Sequence, residues 1–452
     1  MPDFRQLRRF LPAPFRSPHL LAGLFAALLL LPAWHSGRAL VRIWPAPEHP
    51  LLVGYFPQWG LYQDHPYRVK DLILNGGAKM LDQINYAQGF VTNRRCSVAD
   101  PNADLGTAWT AENSVSGVAD NPKSSFRGYF HQLRELKRRY PHLKILISLE
   151  GKASSFAEDA RPENRRAFVA SCIDTFLRGN FETGIHEPGL FDGFDIDWES
   201  PQQEDAANFQ ALLVEFRRQM QAVMPESRLS VAVGPSPQML PGTDFRAVAQ
   251  VVDEVGVMNY DYTGPWSGRT GFLAPLFSRT GPEFHEGSIA TSMASYQESG
   301  VPKRKLLMGL PFYGYSWTAV NKVNDGLFQN GKGVHDDRPW SYIRTLEGQF
   351  TVHRDPVSHA AWLFDGQTFW TCDDPVSVRY KASYAKRIRL GGVMVWELSE
   401  DTDDAQLLHI AHRSLRHPMP KRVFAESEIA RAQSVVDTGA GEAAVDPAGA
   451  ER

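Results

Sequence analysis

Eight short runs rich in β-branched and aromatic residues, at 51–56, 83–90, 143–149, 191–198, 228–233, 254–260, 305–312 and 391–398, constrain this chain more than any other feature. Between them lie amphipathic stretches such as 130–139, 161–177 and 208–223, in which apolar residues return every three or four positions. Most of the runs are nearly continuous in apolar residues rather than alternating, which is the pattern of parallel strands buried on both faces. Strands alternating with helices in this number predict an α/β chain folded as a TIM (β/α)8 barrel. A doubly wound open sheet is the competing architecture.

A length of 452 residues suits one such barrel with appended segments. Arg5, Arg8, Arg9 and Arg16 precede an uncharged run from Leu20 to Leu31, the layout of a secretion signal. Even extended through Trp34, this run falls short of the roughly 20 residues a spanning helix needs. The best small-x-small cleavage site, Gly37-Arg38-Ala39, has a charge inside it. Residues 1–39 are therefore expected to be a signal peptide or, uncleaved, a membrane anchor through 20–34, and the protein secreted, periplasmic or membrane-anchored. The Pro-punctuated stretch 40–50 reads as a linker, 51–416 as the barrel, and the Ala/Gly/Glu/Asp-rich stretch 417–452 as a disordered tail.

Two connections are abnormal. The polar stretch 93–127 is long enough to be a functional loop bordering a cleft. Roughly 80 residues separate the last two strand signals and contain strand-like pieces at 349–353 and 367–372, which predicts a small α+β insertion over 315–372. Gly331-Lys332-Gly333 reads as a turn. Cys96, Cys172 and Cys372 are far apart with no CxxC, so at most one disulfide can form. Cys172 shares a helical face with Phe168 and Phe176 and is expected to pack in the core.

The net charge of -3 gives no footprint for a nucleic acid, and the 14 His residues form no ligand-spaced cluster, so neither a nucleic-acid partner nor a metal is expected. There is no HExxH, GxSxG or Walker loop, and no cofactor is expected. The chemistry concentrates in Phe191-Asp192-Gly193-Phe194-Asp195-Ile196-Asp197-Trp198-Glu199. Residues two apart in a strand share a face, so Asp195, Asp197 and Glu199 point into the barrel while Phe194, Ile196 and Trp198 face the helices. Lining an interior with carboxylates carries a desolvation and like-charge cost that falls when protons are shared and the pKa values pushed apart. Glu199, nearest the carboxyl end, lies where barrel enzymes build their sites and can stay protonated as a general acid. A surface acidic strand or a divalent-metal site is the plainer alternative; the regular apolar alternation opposes the first and the absence of a calcium-loop glycine pattern the second.

The string DGFDIDWE resembles the DxxDxDxE signature of glycoside hydrolase family 18, the chitinase family. Further pieces fit in order: Gly54-Tyr55-Phe56, Ser148 with Gly151, Met258-Asn259-Tyr260-Asp261, Gly309-Leu310-Pro311-Phe312-Tyr313-Gly314, and Gly391-Gly392-Val393-Met394-Val395-Trp396. The resemblance implies a TIM barrel with an α+β insertion, acting by substrate-assisted retaining hydrolysis. Glu199 would protonate the glycosidic oxygen while the substrate's own acetamido oxygen attacks the anomeric carbon. Asp197 would orient the acetamido N–H, Asp195 would share a proton with it, and Tyr260 would donate to the acetamido oxygen. Tyr55, Met258 and Asp261 would shape the sugar pocket and Trp396 would floor it.

Sugar rings have apolar faces that indoles cover well, so Trp59, Trp266, Trp317 and Trp396, all at expected strand ends, are further cleft candidates. Two departures from the resemblance stand out: Glu150 replaces the first Gly of S-x-G-G, and Tyr315 stands where many relatives carry Arg. Glu150 is expected to narrow or recharge the site edge. The function expected is an exported, monomeric hydrolase of β-1,4-linked N-acetylglucosamine polysaccharides or oligosaccharides. An endo-β-N-acetylglucosaminidase acting on other glycans and a non-catalytic chitin- or glycan-binding protein are the alternatives.

Overall fold

The computed structural model describes residues 49–151, 153–182, 184–198, 201–279, 287–417 and 424. The expected signal or anchor segment, the linker up to 48, and Glu199 lie outside the described residues, as does all of the expected tail after 417 except Phe424. Among the described residues no helix is long and apolar enough to cross a membrane.

Eight parallel strands close into a barrel: β1 (Leu51–Pro57), β2 (Gln83–Thr92), β3 (Lys144–Glu150), β4 (Gly193–Ile196), β5 (Arg228–Val233), β6 (Glu254–Val257), β7 (Leu306–Pro311) and β8 (Gly392–Trp396). Each pairs with its neighbours in sequence order, and β1 pairs both with β2 (Val53 opposite Gln83) and with β8 (Leu51 opposite Gly392), which removes any sheet edge. The open doubly wound arrangement is thereby excluded. Every residue of β1, β4, β6 and β7 is buried, as expected for strands with side chains on one face inside the barrel and helices on the other.

The chemical strand β4 is shorter than its sequence pattern, but single bonds extend its ladder: Asp192 N–H donates to Ile145 O at 2.6 Å and Asp197 N–H to Leu149 O at 3.1 Å. Gly193 opens this strand because a Cβ there would lie 1.8 Å from Arg228 O of β5. Outward-facing Phe194 meets Phe216 of the helix Ala206–Val223, and Trp198 is buried against Phe156 and Phe209.

Three features of the sequence reading are revised. Cys172 is buried at the end of the helix Pro162–Cys172, but it is bonded to Cys96 rather than serving as packing alone. Cys96 lies on a four-residue strand, Arg95–Val98, that returns antiparallel along β2, so the connection 93–127 is more ordered than its polar sequence suggests. Gly331-Lys332-Gly333 does not form a simple turn: it leads into the strand Lys332–Pro339, where a Cβ on Gly333 would lie 2.0 Å from Pro265 O.

Between β7 and β8 lies a five-stranded antiparallel sheet, in the spatial order Lys332–Pro339, Tyr313–Thr318, Phe369–Cys372, Ala361–Phe364, Thr351–Arg354. It has its own apolar cluster of Phe272, Trp317, Leu327, Trp362, Phe364 and Phe369. Trp317, expected in a sugar cleft, is fully buried in that cluster with its indole N–H donating to Ser267 O at 2.9 Å, so it cannot stack on a ligand. Phe424 is also buried, packed on Phe277, Tyr380 and Tyr384, with its carbonyl accepting from Arg387; this point of the expected tail is held in the core.

Candidate active site

Asp195 and Asp197 are buried where strand alternation put them. Asp195 is 1% exposed and is gripped by three hydroxyls from three other strands: Tyr55 of β1 donates to Oδ2 at 2.7 Å, Ser148 of β3 to Oδ2 at 2.9 Å, and Ser230 of β5 to Oδ1 at 2.5 Å. Burial raises the Asp195 pKa above the ordinary carboxylate value, while these donors and the Asn85 side chain pull against that rise. Burial, and then the negative charges of Asp195 and Asp197, push the Tyr55 hydroxyl well above its usual range, so it remains a phenol donor. Asp197, two residues on, is also buried at the carboxyl end of β4.

Aromatic residues flank this pair. Trp396, half-buried at the end of β8, lies 5.2 Å from the Tyr55 ring and 6.0 Å from that of Trp59, which is itself 37% exposed. Across the β6 end, Asp261 has a left-handed backbone (φ 61°) and accepts from the Tyr313 hydroxyl at 2.7 Å. The Tyr315 hydroxyl bonds the same carboxylate. Tyr260 meets Tyr313 edge-on at 6.0 Å, and Trp266, 45% exposed, meets Tyr315 edge-on at 5.4 Å. Met258, partly buried, packs on the main core and extends β6 by donating its N–H to Val233 O at 2.9 Å. Among the described residues no cluster of His, Cys, Asp and Glu is arranged to hold a metal ion.

The profile of Glycosyl hydrolases family 18 matches residues 51–401. The chain belongs to this family.

Among its relatives, Chitinase 63 of Streptomyces plicatus is 31% identical over 82% of this chain and 62% of its own length, and Chitinase C of Streptomyces lividans is 32% identical over 77% and 57%. The chain thus spans about six-tenths of the length of these curated relatives. The catalytic domain of psychrophilic chitinase B from Arthrobacter TAD20 superposes with a TM-score of 0.74 at 30% identity, covering 82% of this chain and 97% of that one. A family 18 N-acetylglucosaminidase from Paenibacillus barengoltzii superposes with a TM-score of 0.64 at 28% identity, covering 81% and 100%.

Within this family 18 barrel, the structure brings Asp195, Asp197, Tyr55, Trp59 and Trp396 to one end, with Tyr260 and Asp261 on the loop that follows β6. Glu150, the departure at the end of β3, is partly buried in register with Phe90 of β2. Ser230 and Asn85 escaped sequence reasoning. Each is a small polar residue in an apolar strand, and the interior parity of β5 and β2 is the signal that could have singled them out. Glu397 was missed as well: it follows Trp396, is 3% exposed, and is pushed up to about 8, chiefly by burial.

Proposed function

We propose that the chain is an exported glycoside hydrolase of the chitinase type, cleaving β-1,4-linked N-acetylglucosamine polysaccharides or oligosaccharides with retention. The observation that carries this reading is the buried Asp195, held by three hydroxyls beside Asp197 at the carboxyl end of β4. Three donors aimed at one interior carboxyl are a preorganised arrangement that core packing does not need.

In this reading Glu199, next in the alternation, gives its proton to the glycosidic oxygen as the bond from the anomeric carbon to that oxygen breaks. The carbonyl oxygen of the sugar's 2-acetamido group forms the new bond to the anomeric carbon, giving an oxazolinium ion. Asp197 accepts the acetamido N–H and balances the positive charge, with Asp195 tuning its proton affinity. The Tyr260 hydroxyl donates to the acetamido oxygen. Water then attacks the anomeric carbon, that carbon's bond to the acetamido oxygen breaks so that the acetamido group is regenerated, and the water loses its proton to the Glu199 carboxylate, which restores the acid. Trp396 offers an aromatic face to the sugar, with Met258 and Asp261 shaping the pocket beside it. Export draws support from the Cys96–Cys172 bond, since disulfides persist in oxidising compartments.

The test is hydrolysis of N-acetylglucosamine hexamer by the parent and by Glu199→Gln, with the anomeric form of the first product followed by NMR. Cleavage with retention by the parent and loss of at least about a thousandfold in the variant is expected. Binding without cleavage by the parent would instead make this a glycan-binding barrel. The likeness to the Paenibacillus barengoltzii enzyme favours one second reading, release of single N-acetylglucosamine units, and product lengths separate it from internal cleavage.

A further inference from the structure

The chemistry above leaves unused a buried carboxyl beside the aromatic floor. Glu397 Oε1 accepts from Ser399 Oγ at 2.6 Å, and Ser399 Oγ accepts from Gln63 Nε2 at 3.0 Å. Gln63 directly follows the single helical turn Gln58–Tyr62, which carries Trp59. The backbone N–H of Glu397 donates to Glu400 Oε2 at 3.1 Å, pinning the segment after β8. The second oxygen, Oε2, is buried without a regular hydrogen bond, and the Trp59 indole acts on the same carboxyl and pulls its pKa down.

The charges acting on Glu397 are negative: Glu400 from the same turn, and Asp337 from the strand Lys332–Pro339. Burying a carboxyl among acids costs stability, and a side chain that served packing alone could be an amide or a hydrocarbon. What the arrangement does achieve is a bridge between the segment bearing Trp396 and the turn bearing Trp59, whose rings lie 6.0 Å apart at 40°.

We propose that Glu397 is a positioning residue that fixes the Trp59 indole against Trp396, so that the two rings form one platform for successive sugar units of the bound glycan. The inference rests on the carbohydrate reading above and adds to it a determinant of affinity for chains longer than one sugar.

Replacing Glu397 by Ala breaks the Ser399–Gln63 bridge to the turn that carries Trp59, and replacing it by Gln keeps an acceptor for Ser399 Oγ. With N-acetylglucosamine hexamer, Glu397→Ala is expected to raise KM about fivefold, the worth of one well-placed ring, with kcat changed by less than about twofold. Glu397→Gln is expected to restore the parent KM. In a Trp59→Ala background Glu397→Ala should add nothing further, because its effect passes through that ring. Additive penalties, a fall in kcat matching the rise in KM, or failure of Gln to rescue would each overturn the proposal. If Glu397→Ala does not fold, Ser399→Ala, which removes the donor orienting the carboxyl, is expected to shift KM in the same direction. All these comparisons are repeated as hexamer affinity by calorimetry in the Glu199→Gln protein. Failure of the hydrolase reading then shows as absent turnover by the parent, whereas failure of the positioning role shows as unchanged affinity.

Discussion

Tyr55 and Asp195, 140 residues apart in sequence, meet inside the barrel through a 2.7 Å hydrogen bond from the phenol to Oδ2. The bond runs across the barrel interior, because β1 pairs with β8 and β2 while β4 pairs with β3 and β5. With Ser148 and Ser230 completing the set, the proton affinity of Asp195 depends on the register of four strands at once. Closing the barrel and tuning the carboxylate are therefore one structural event.

Tyr55→Phe removes one charge-assisted donor from a buried carboxylate. Donors favour the ionised form, so losing one raises the Asp195 pKa further. We expect the acidic limb of the kcat/KM profile for the hexamer to move to higher pH, and kcat to fall about ten- to a hundredfold, in line with the roughly 1.5–3 kcal/mol of a hydrogen bond to a charged group. Ser230→Ala is expected to act in the same direction. A pH profile that does not move in either variant would dissociate the hydroxyl cage from catalysis.

The barrel was legible because its strands satisfy a simple demand: parallel strands buried on both faces must be nearly continuous in apolar residues, and β1, β5 and β7 stand within one or two residues of their sequence patterns. Asp195 and Asp197 were legible because interior acids alternating with Phe194, Ile196 and Trp198 conflict with packing alone. Trp317 was misplaced because a tryptophan at a strand end looks the same whether it faces a cleft or a second core, and that core assembles from segments far apart in sequence. The Cys96–Cys172 pairing was equally hidden, since a four-residue strand gives no periodicity to show that it folds back along β2. Ser230 and Asn85 act on Asp195 of another strand, and Glu397 acts through its own turn and the turn after β1, pairings that one sequence without its fold does not reveal.

Asp104 gives a pH signature for stability. It is fully buried, with Gln58 Nε2 donating at 2.5 Å and the Tyr86 hydroxyl also donating, and burial pushes its carboxyl up to about 8 despite those donors. An unfolded Asp titrates near about 4, so between about 4 and 8 the folded chain keeps a proton that the unfolded chain has released. Its contribution is complete below about pH 4 and is lost as pH rises through about 8. Glu397, also pushed to about 8, and Glu254, pushed to about 6, act in the same direction. Melting temperatures should therefore fall from pH 6 to pH 9, and fall less in Asp104→Asn. A parent that melts higher at pH 9 would contradict the assignment.

The Cys96–Cys172 bond closes a loop between residues 76 apart that contains β3 and the 93–127 connection from Cys96 onward. In the chain-entropy account such a cross-link stabilises by about 3–5 kcal/mol, by restricting the unfolded state. Reductant should lower the denaturation midpoint of the parent by a corresponding amount and leave that of Cys96→Ser/Cys172→Ser unchanged. An equal response of both proteins would show that the bond does not form in solution.

Arg217 is 1% exposed on the helix Ala206–Val223 and has three acceptors: Val251 O at 2.7 Å, Ser227 O at 3.0 Å and Asp253 Oδ2 at 2.5 Å. Asp253 in turn accepts the Leu229 N–H at 2.9 Å, so the pair ties this helix to the start of β5. Removing the guanidinium alone takes from a buried carboxylate its hydrogen-bonded cation, leaving Lys305 as the other cation that acts on it, and from two carbonyls this donor, which typically costs about 3–5 kcal/mol. Arg217→Met should show that loss in urea denaturation. Arg217→Met/Asp253→Leu should recover part of it, because the desolvated charge goes with its partner, although the Leu229 N–H then loses an acceptor. The difference between the single and double variants measures how much of the penalty is uncompensated charge. If Arg217→Met costs less than about 1 kcal/mol, the site admits water and the pair is not the anchor its burial implies.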